Sequence, residues 1–183
     1  LRLMNNARVA VGFEALGLCE SAYRMAKAYA AQRVSMGKTI DRHELIADLL
    51  DRMDTDIHAI RALGMKAAWH TEMGMRLNIK SRYLDDPESE EQAHSQRRAK
   101  EHKKHARRLT PLLKYYASER AVEMARECIQ IHGGFGYTQE YGAEKLLRDS
   151  LVLPIYEGTS QIQALMTTKD ILLGITRDPT RFM

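Results

Sequence analysis

A chain of 183 residues, 44% of them hydrophobic and 28% charged, can enclose one substantial core and is too apolar for a disordered segment. No run approaches the roughly 20 apolar residues that a membrane span needs, and no charged-then-apolar pattern of a signal peptide is visible. The net charge of +4 is local: residues 96–108 hold seven Arg and Lys against Glu101 alone, so the rest is slightly acidic and the whole surface does not read as a nucleic-acid binder.

The first helix is expected from about Met4 to Gln32. Val9, Phe13, Leu16, Cys19, Tyr23, Ala26 and Ala30 step by threes and fours, the period of one buried helix face. Gly37, after Arg33-Val34-Ser35-Met36, marks a turn, and Asp41 can cap the next helix through its carboxylate. That helix extends to about Leu77, with Ile46, Leu49, Met53, Ile57 and Ile60 on one stripe. Tyr83 to Ser95 is polar and contains Pro87, so it reads as a loop within a polar and basic excursion over 82–108.

A third helix is expected from about Leu109 to Ile131, carrying Ala117, Ala121, Met124, Cys128 and Ile131 on its apolar side. Gly133-Gly134 ends it, because glycine tolerates the left-handed backbone that stops a helix. A short helix follows near Ala143 to Ser150, Pro154 breaks the chain, and a last helix runs from about Ser160 to Leu173, with Ser160 and Gln163 at capping-box spacing. No strand pair and no internal repeat emerge. The expected fold is all-α, an antiparallel up-and-down helical bundle forming a single domain over 1–183; an opening Leu1 fits a piece of a longer protein. Cys19 and Cys128 sit on apolar faces, as buried free thiols of a reducing, cytoplasmic location do.

Chemistry concentrates near the C-terminus. Ile155-Tyr156-Glu157-Gly158-Thr159-Ser160-Gln161-Ile162-Gln163 puts a carboxylate beside a glycine at a helix mouth. Upstream lie Gln130-Ile131-His132-Gly133-Gly134-Phe135-Gly136-Tyr137 and Arg148-Asp149. Together these segments resemble the C-terminal domain of the acyl-CoA dehydrogenases, flavoenzymes that desaturate acyl-CoA thioesters. The resemblance covers about Leu3 to Leu173, and Leu109-Thr110-Pro111-Leu112 and Pro154-Ile155-Tyr156-Glu157 look most like the longer, bacterial-type branch.

The resemblance implies roles residue by residue. Glu157 matches the catalytic base that takes the substrate α-proton while the β-hydrogen leaves as hydride to FAD, and its backbone N–H matches a donor to the thioester oxygen. Arg8 matches the arginine near that carboxylate; Asn5 stands where some relatives have an acid. Arg33 matches the arginine that binds the FAD pyrophosphate across the dimer interface, a role suited to its planar fork of donors. Ser35, Met36, Ile40 and His43 match adenosine-side contacts, with His43 alternatively a plain helix-start residue; Met36 and Glu44 depart from a common Phe and Gln. Gln130, Gly133 and Gly134 match the segment that approaches FAD from the partner subunit. Thr159 and Gln161 match further cofactor positions, Thr159 alternatively only a cap. Tyr156 and Gly158 match the lining of the substrate channel, Tyr156 alternatively a core residue.

The implied parent takes acyl-CoA, works as a homodimer or homotetramer and passes electrons to electron-transfer flavoprotein or a similar acceptor; the isolated domain is expected to be inactive. An acyl-CoA oxidase, or a helical interaction or nucleic-acid-binding module of the same fold, are the alternatives, and neither a nucleic-acid partner nor a membrane span is expected. Glu91-x-x-His94 with His102 and His105 hints at a metal, but a di-iron bundle needs two such pairs and inward carboxylates, so no metal is expected. Residues 97–108 carry cations without interleaved aromatics and read as a solvated helix face.

Overall fold

The computed structural model describes residues 2–83 and 89–177, with the side chains of 6–83 and 89–176. Asn5 therefore lies outside the described side chains. Helix α1 (Arg2–Gln32) is followed by two short strands, β1 (Val34–Ser35) and β2 (Lys38–Thr39), and a 3₁₀ turn at Ile40–Arg42. Then come the long helices α2 (Glu44–Lys80) and α3 (Glu90–His132), the single turn α4 (Gly134–Tyr137), α5 (Ala143–Ser150) and α6 (Ser160–Arg177). The expected all-α bundle is what forms. Its body is α1, α2 and α3 packed on one another, with α6 and α5 laid against α3. Among the described residues no helix is long and apolar enough to cross a membrane.

Small residues bring the helices together. The fully buried line of α1 is Ala15, Cys19, Ala22, Ala26 and Ala30, whereas the larger Val9, Phe13 and Tyr23 are only partly buried against the core. At Gly12 an added Cβ would lie 2.6 Å from the side chain of fully buried Leu113, so α1 and α3 could not approach this closely with any other residue there. Both cysteines are buried free thiols, as expected, and burial pushes each thiol up to about 12.

Four local expectations are corrected. A strand pair does exist: Val34 pairs with Thr39 and Ser35 with Lys38 across a two-residue loop, Met36-Gly37, whose positive φ values (49° and 81°) match the twist of a hairpin. The weak sequence signal is physical, since Met tolerates this conformation poorly compared with Asn or Gly. Asp41 lies inside the 3₁₀ turn and caps nothing; His43 occupies the N-cap of α2 without a side-chain cap.

Helix α3 begins at Glu90, not Leu109, capped by the Ser89 hydroxyl accepting from the Gln92 N–H at 3.2 Å. It continues through Pro111, and the basic run rides on its exposed side. Its polar first half is held because Ser95, Ala99 and His102 form a narrow buried line against α2, which average hydropathy does not register. Lastly, the Ser160–Gln163 capping box does not form: the Ser160 hydroxyl finds no partner among the described residues, and the Gln163 side chain reaches elsewhere.

Candidate functional site

After α5 the chain turns through residues 151–157 and reaches Glu157 in a left-handed conformation, φ 55°, followed by Gly158 at φ 97°. A non-glycine residue there costs roughly 1–2 kcal/mol and persists only where its surroundings impose it. The surroundings are three side-chain donors on two successive carbonyls. Arg8 Nε, from α1, donates to the Glu157 carbonyl at 3.0 Å. Lys114 Nζ, from α3, donates to the Gly158 carbonyl at 2.8 Å. Gln163 Nε2, from α6, donates to both, at 3.2 and 3.1 Å. Arg8, Lys114 and Gln163 are all buried.

On the other flank, the Tyr156 hydroxyl donates to Glu14 of α1; burial first, and then this bond, push the phenol up. Burial, and after it the charge of Arg8, press Lys114 below the usual lysine value, while Glu119 and Glu157 pull the other way. What is left over is the useful part. The half-exposed Glu157 carboxylate and its backbone N–H have no hydrogen-bond partner among the described residues. Arg8 thus meets Glu157 as expected, but through the carbonyl and not the carboxylate. Lys114 and Gln163 were missed as site residues. A signal existed for Lys114: a cation on the same helical line as Ala117, Ala121 and Met124 is anomalous.

A second group assembles at the other end of α1. Tyr29, Arg33, Ser35, Ile40, Gln130, Gly133 and Gly134 are among the residues lining an open cleft of about 440 Å³. His43 Nε2 lies 3.1 Å from the Ser35 carbonyl, tying the hairpin to the start of α2, and Met36 at its tip is 92% exposed. The Arg33 guanidinium sits 5.8 Å from the centre of the Phe135 ring and has no carboxylate partner among the described residues. Gly133 ends α3 at φ 61°, and a Cβ on either Gly133 or Gly134 would meet only open space. A free arginine beside glycines that open onto a cleft suits a phosphate-bearing group that comes close to the backbone.

The two groups do not meet within one chain. Arg8 and Arg33 are 25 residues apart along α1 and its end, about 37 Å at 1.5 Å per residue. Thr159 and Gln161 flank the start of α6 and so belong with Glu157, not with the cleft. Arg148 and Asp149 are ion-paired with Glu144 and Lys145 within α5. Of the residues considered for metal, Glu91 pairs with Lys80, while His102 is 3.1 Å from His70 and His105 stacks on His70.

The model of the acyl-CoA dehydrogenase C-terminal domain matches residues 1–81 and 91–172. The chain is 33% identical over 171 residues to an acyl-CoA dehydrogenase of Bacillus subtilis, covering 93% of this chain and 38% of that protein. It is 35% identical over 164 residues to the 3-methylmercaptopropionyl-CoA dehydrogenase of Ruegeria pomeroyi, covering 88% of this chain and 26% of that one. Among solved structures, butyryl-CoA dehydrogenase of Megasphaera elsdenii superposes with a TM-score of 0.73 at 28% identity, over 92% of this chain and 37% of its own. The chain thus spans between a quarter and two fifths of these proteins' length.

Proposed function

The chain belongs to the acyl-CoA dehydrogenase family as a C-terminal domain, and from that premise we propose that it supplies the catalytic base and part of the flavin site of a longer protein that oxidises acyl-CoA to trans-2-enoyl-CoA. The carrying observation is the Glu157 turn: its carbonyls are claimed from three helices, while its carboxylate and N–H have no hydrogen-bond partner among the described residues. Glu157 takes the α-proton, which the thioester carbonyl acidifies. Its N–H donates to that carbonyl oxygen as charge develops there. Bound FAD supplies the acceptor for the β-hydride. Gly158 and Tyr156 line the substrate side of the turn, and Thr159 and Gln161 face the cofactor.

Arg33 holds the FAD pyrophosphate, with Gln130, Gly133 and Gly134 against the cofactor and Ser35, Met36, Ile40 and His43 toward its adenosine. The separation of about 37 Å along α1 supports a shared site, with one subunit bringing Glu157 and its neighbour bringing Arg33; a homodimer or homotetramer follows. Arg8 is the positioning cation of the base. The exposed Ile155 and Leu165 fit burial by the rest of such a protein. Reoxidation falls to electron-transfer flavoprotein or a similar acceptor, and the free buried thiols fit the cytoplasm.

The test compares the full-length protein with its Glu157→Gln variant, mixed anaerobically with saturated acyl-CoAs of several lengths while flavin absorbance is followed. Bleaching slowed by about 10²–10⁴-fold in the variant is expected for loss of a positioned base. Equal rates in the two proteins, or a wild type that no thioester bleaches, would sink the reading.

A further inference from the structure

A buried lysine is expensive, and Lys114 is 0% exposed. A methionine would occupy the same volume on α3 without burying a charge. Among the described residues its one hydrogen bond goes to the Gly158 carbonyl at 2.8 Å, one residue beyond Glu157. We infer that Lys114 is a positioning residue for the base, its ammonium holding the Gly158 carbonyl so that Glu157 stays in its left-handed conformation with the carboxylate aimed out of the turn.

Lys114 is the charged and nearer donor on the Gly158 carbonyl, at 2.8 Å against 3.1 Å for Gln163. Arg8 holds the preceding carbonyl, and Gln163 divides one amide between both, at longer distances of 3.2 and 3.1 Å. The Tyr156 bond to Glu14 fixes the turn before Glu157 but not after it. Without the ammonium, the peptide after Gly158 keeps half of one amide, and the backbone at φ 55° and φ 97° can relax toward commoner angles. Relaxation of φ at Glu157 itself re-aims its side chain. A base displaced by about 1 Å loses on the order of 100-fold in rate. Charge counts as well as donation, because an ionised donor makes the stronger bond to a carbonyl.

The kinetic arm rests on Glu157 being the base; the structural arm does not. In the full-length protein, Lys114→Met and Lys114→Arg are compared with wild type by amide hydrogen exchange and by anaerobic flavin reduction. Lys114→Met is expected to speed exchange in residues 157–163 by about tenfold or more while other segments hold, and to lower kcat about 10- to 100-fold with KM within threefold. Lys114→Arg, keeping charge and donor, is expected to recover most of both. Unchanged exchange in Lys114→Met overturns the inference. So does a loss of protection across the whole domain, or an equal loss in Lys114→Arg, since either marks a merely structural lysine. If wild type reduces no flavin with any acyl-CoA, the base reading fails and exchange alone decides Lys114.

Discussion

The two ends of α1 are built in opposite ways. At the Arg8 end, buried donors from α1, α3 and α6 converge on the carbonyls of one turn. At the Arg33 end the residues gather around an open cleft, yet the arginine has no carboxylate partner among the described residues and Met36 projects almost wholly into solvent. One end is pre-organised by the fold itself. The other opens an arginine and two glycines onto a cleft, the arrangement that the proposed shared flavin site calls for.

That contrast can be broken at the first end by Arg8→Met in the 183-residue chain. Leaving the part-buried Glu157 carbonyl with only the longer bond from Gln163 should destabilise the chain by about 1–3 kcal/mol, read from urea unfolding; a change below about 0.5 kcal/mol would show that the turn does not depend on this clamp. At the second end, Arg33→Gln should leave unfolding within about 0.5 kcal/mol of wild type. In the full-length protein the same change should weaken FAD binding by roughly 10- to 100-fold, the worth of a charge-assisted bond of about 1.5–3 kcal/mol. A large stability loss in Arg33→Gln would erase the distinction between the ends.

A buried basic site that serves neither end sharpens the comparison. His70 and His102, 3.1 Å apart between α2 and α3, are both held below the usual histidine value, mainly by burial. His105 lowers both further; His102 and Lys66 also lower His70, and Arg98 also lowers His102, while Glu101 acts in the opposite sense. A histidine with a lowered folded pKa contributes stability that is complete above about pH 6.5 and is lost as pH falls through the folded value. Unfolding at pH 7.5 and 5.5 should therefore show a modest loss for wild type and a smaller one for His70→Leu/His102→Leu. An equal loss in both proteins would place the acid sensitivity elsewhere.

Much of this was readable in advance, with identifiable gaps. The α1, α5 and α6 spans and the Gly133 stop followed from apolar spacing and glycine chemistry, because those signals are local. The first half of α3 was missed since its buried line is Ser95, Ala99 and His102, residues that carry little hydropathy and are placed by contact with α2. The hairpin was missed because Met36 is an unusual residue for its conformation. At the site, Glu157, Arg8, Arg33, Gln130 and the glycines were picked out by their resemblance to the family's motifs. Lys114 and Gln163 were not, since each acts on a main-chain carbonyl, which leaves no trace in side-chain pairing.

By itself the sequence determined, through apolar periodicity, that this is a helical bundle, and, through the resemblance its glycine turn and Glu157 segment carry, which family it joins and which residues around Glu157 and Arg33 to examine. Tertiary structure alone decided that Arg8 grips a carbonyl, that a lysine 44 residues away completes the grip, and that the two groups lie at opposite ends of α1. Helical periodicity tells which residues share a face. Only packing decides where the faces of separate helices meet.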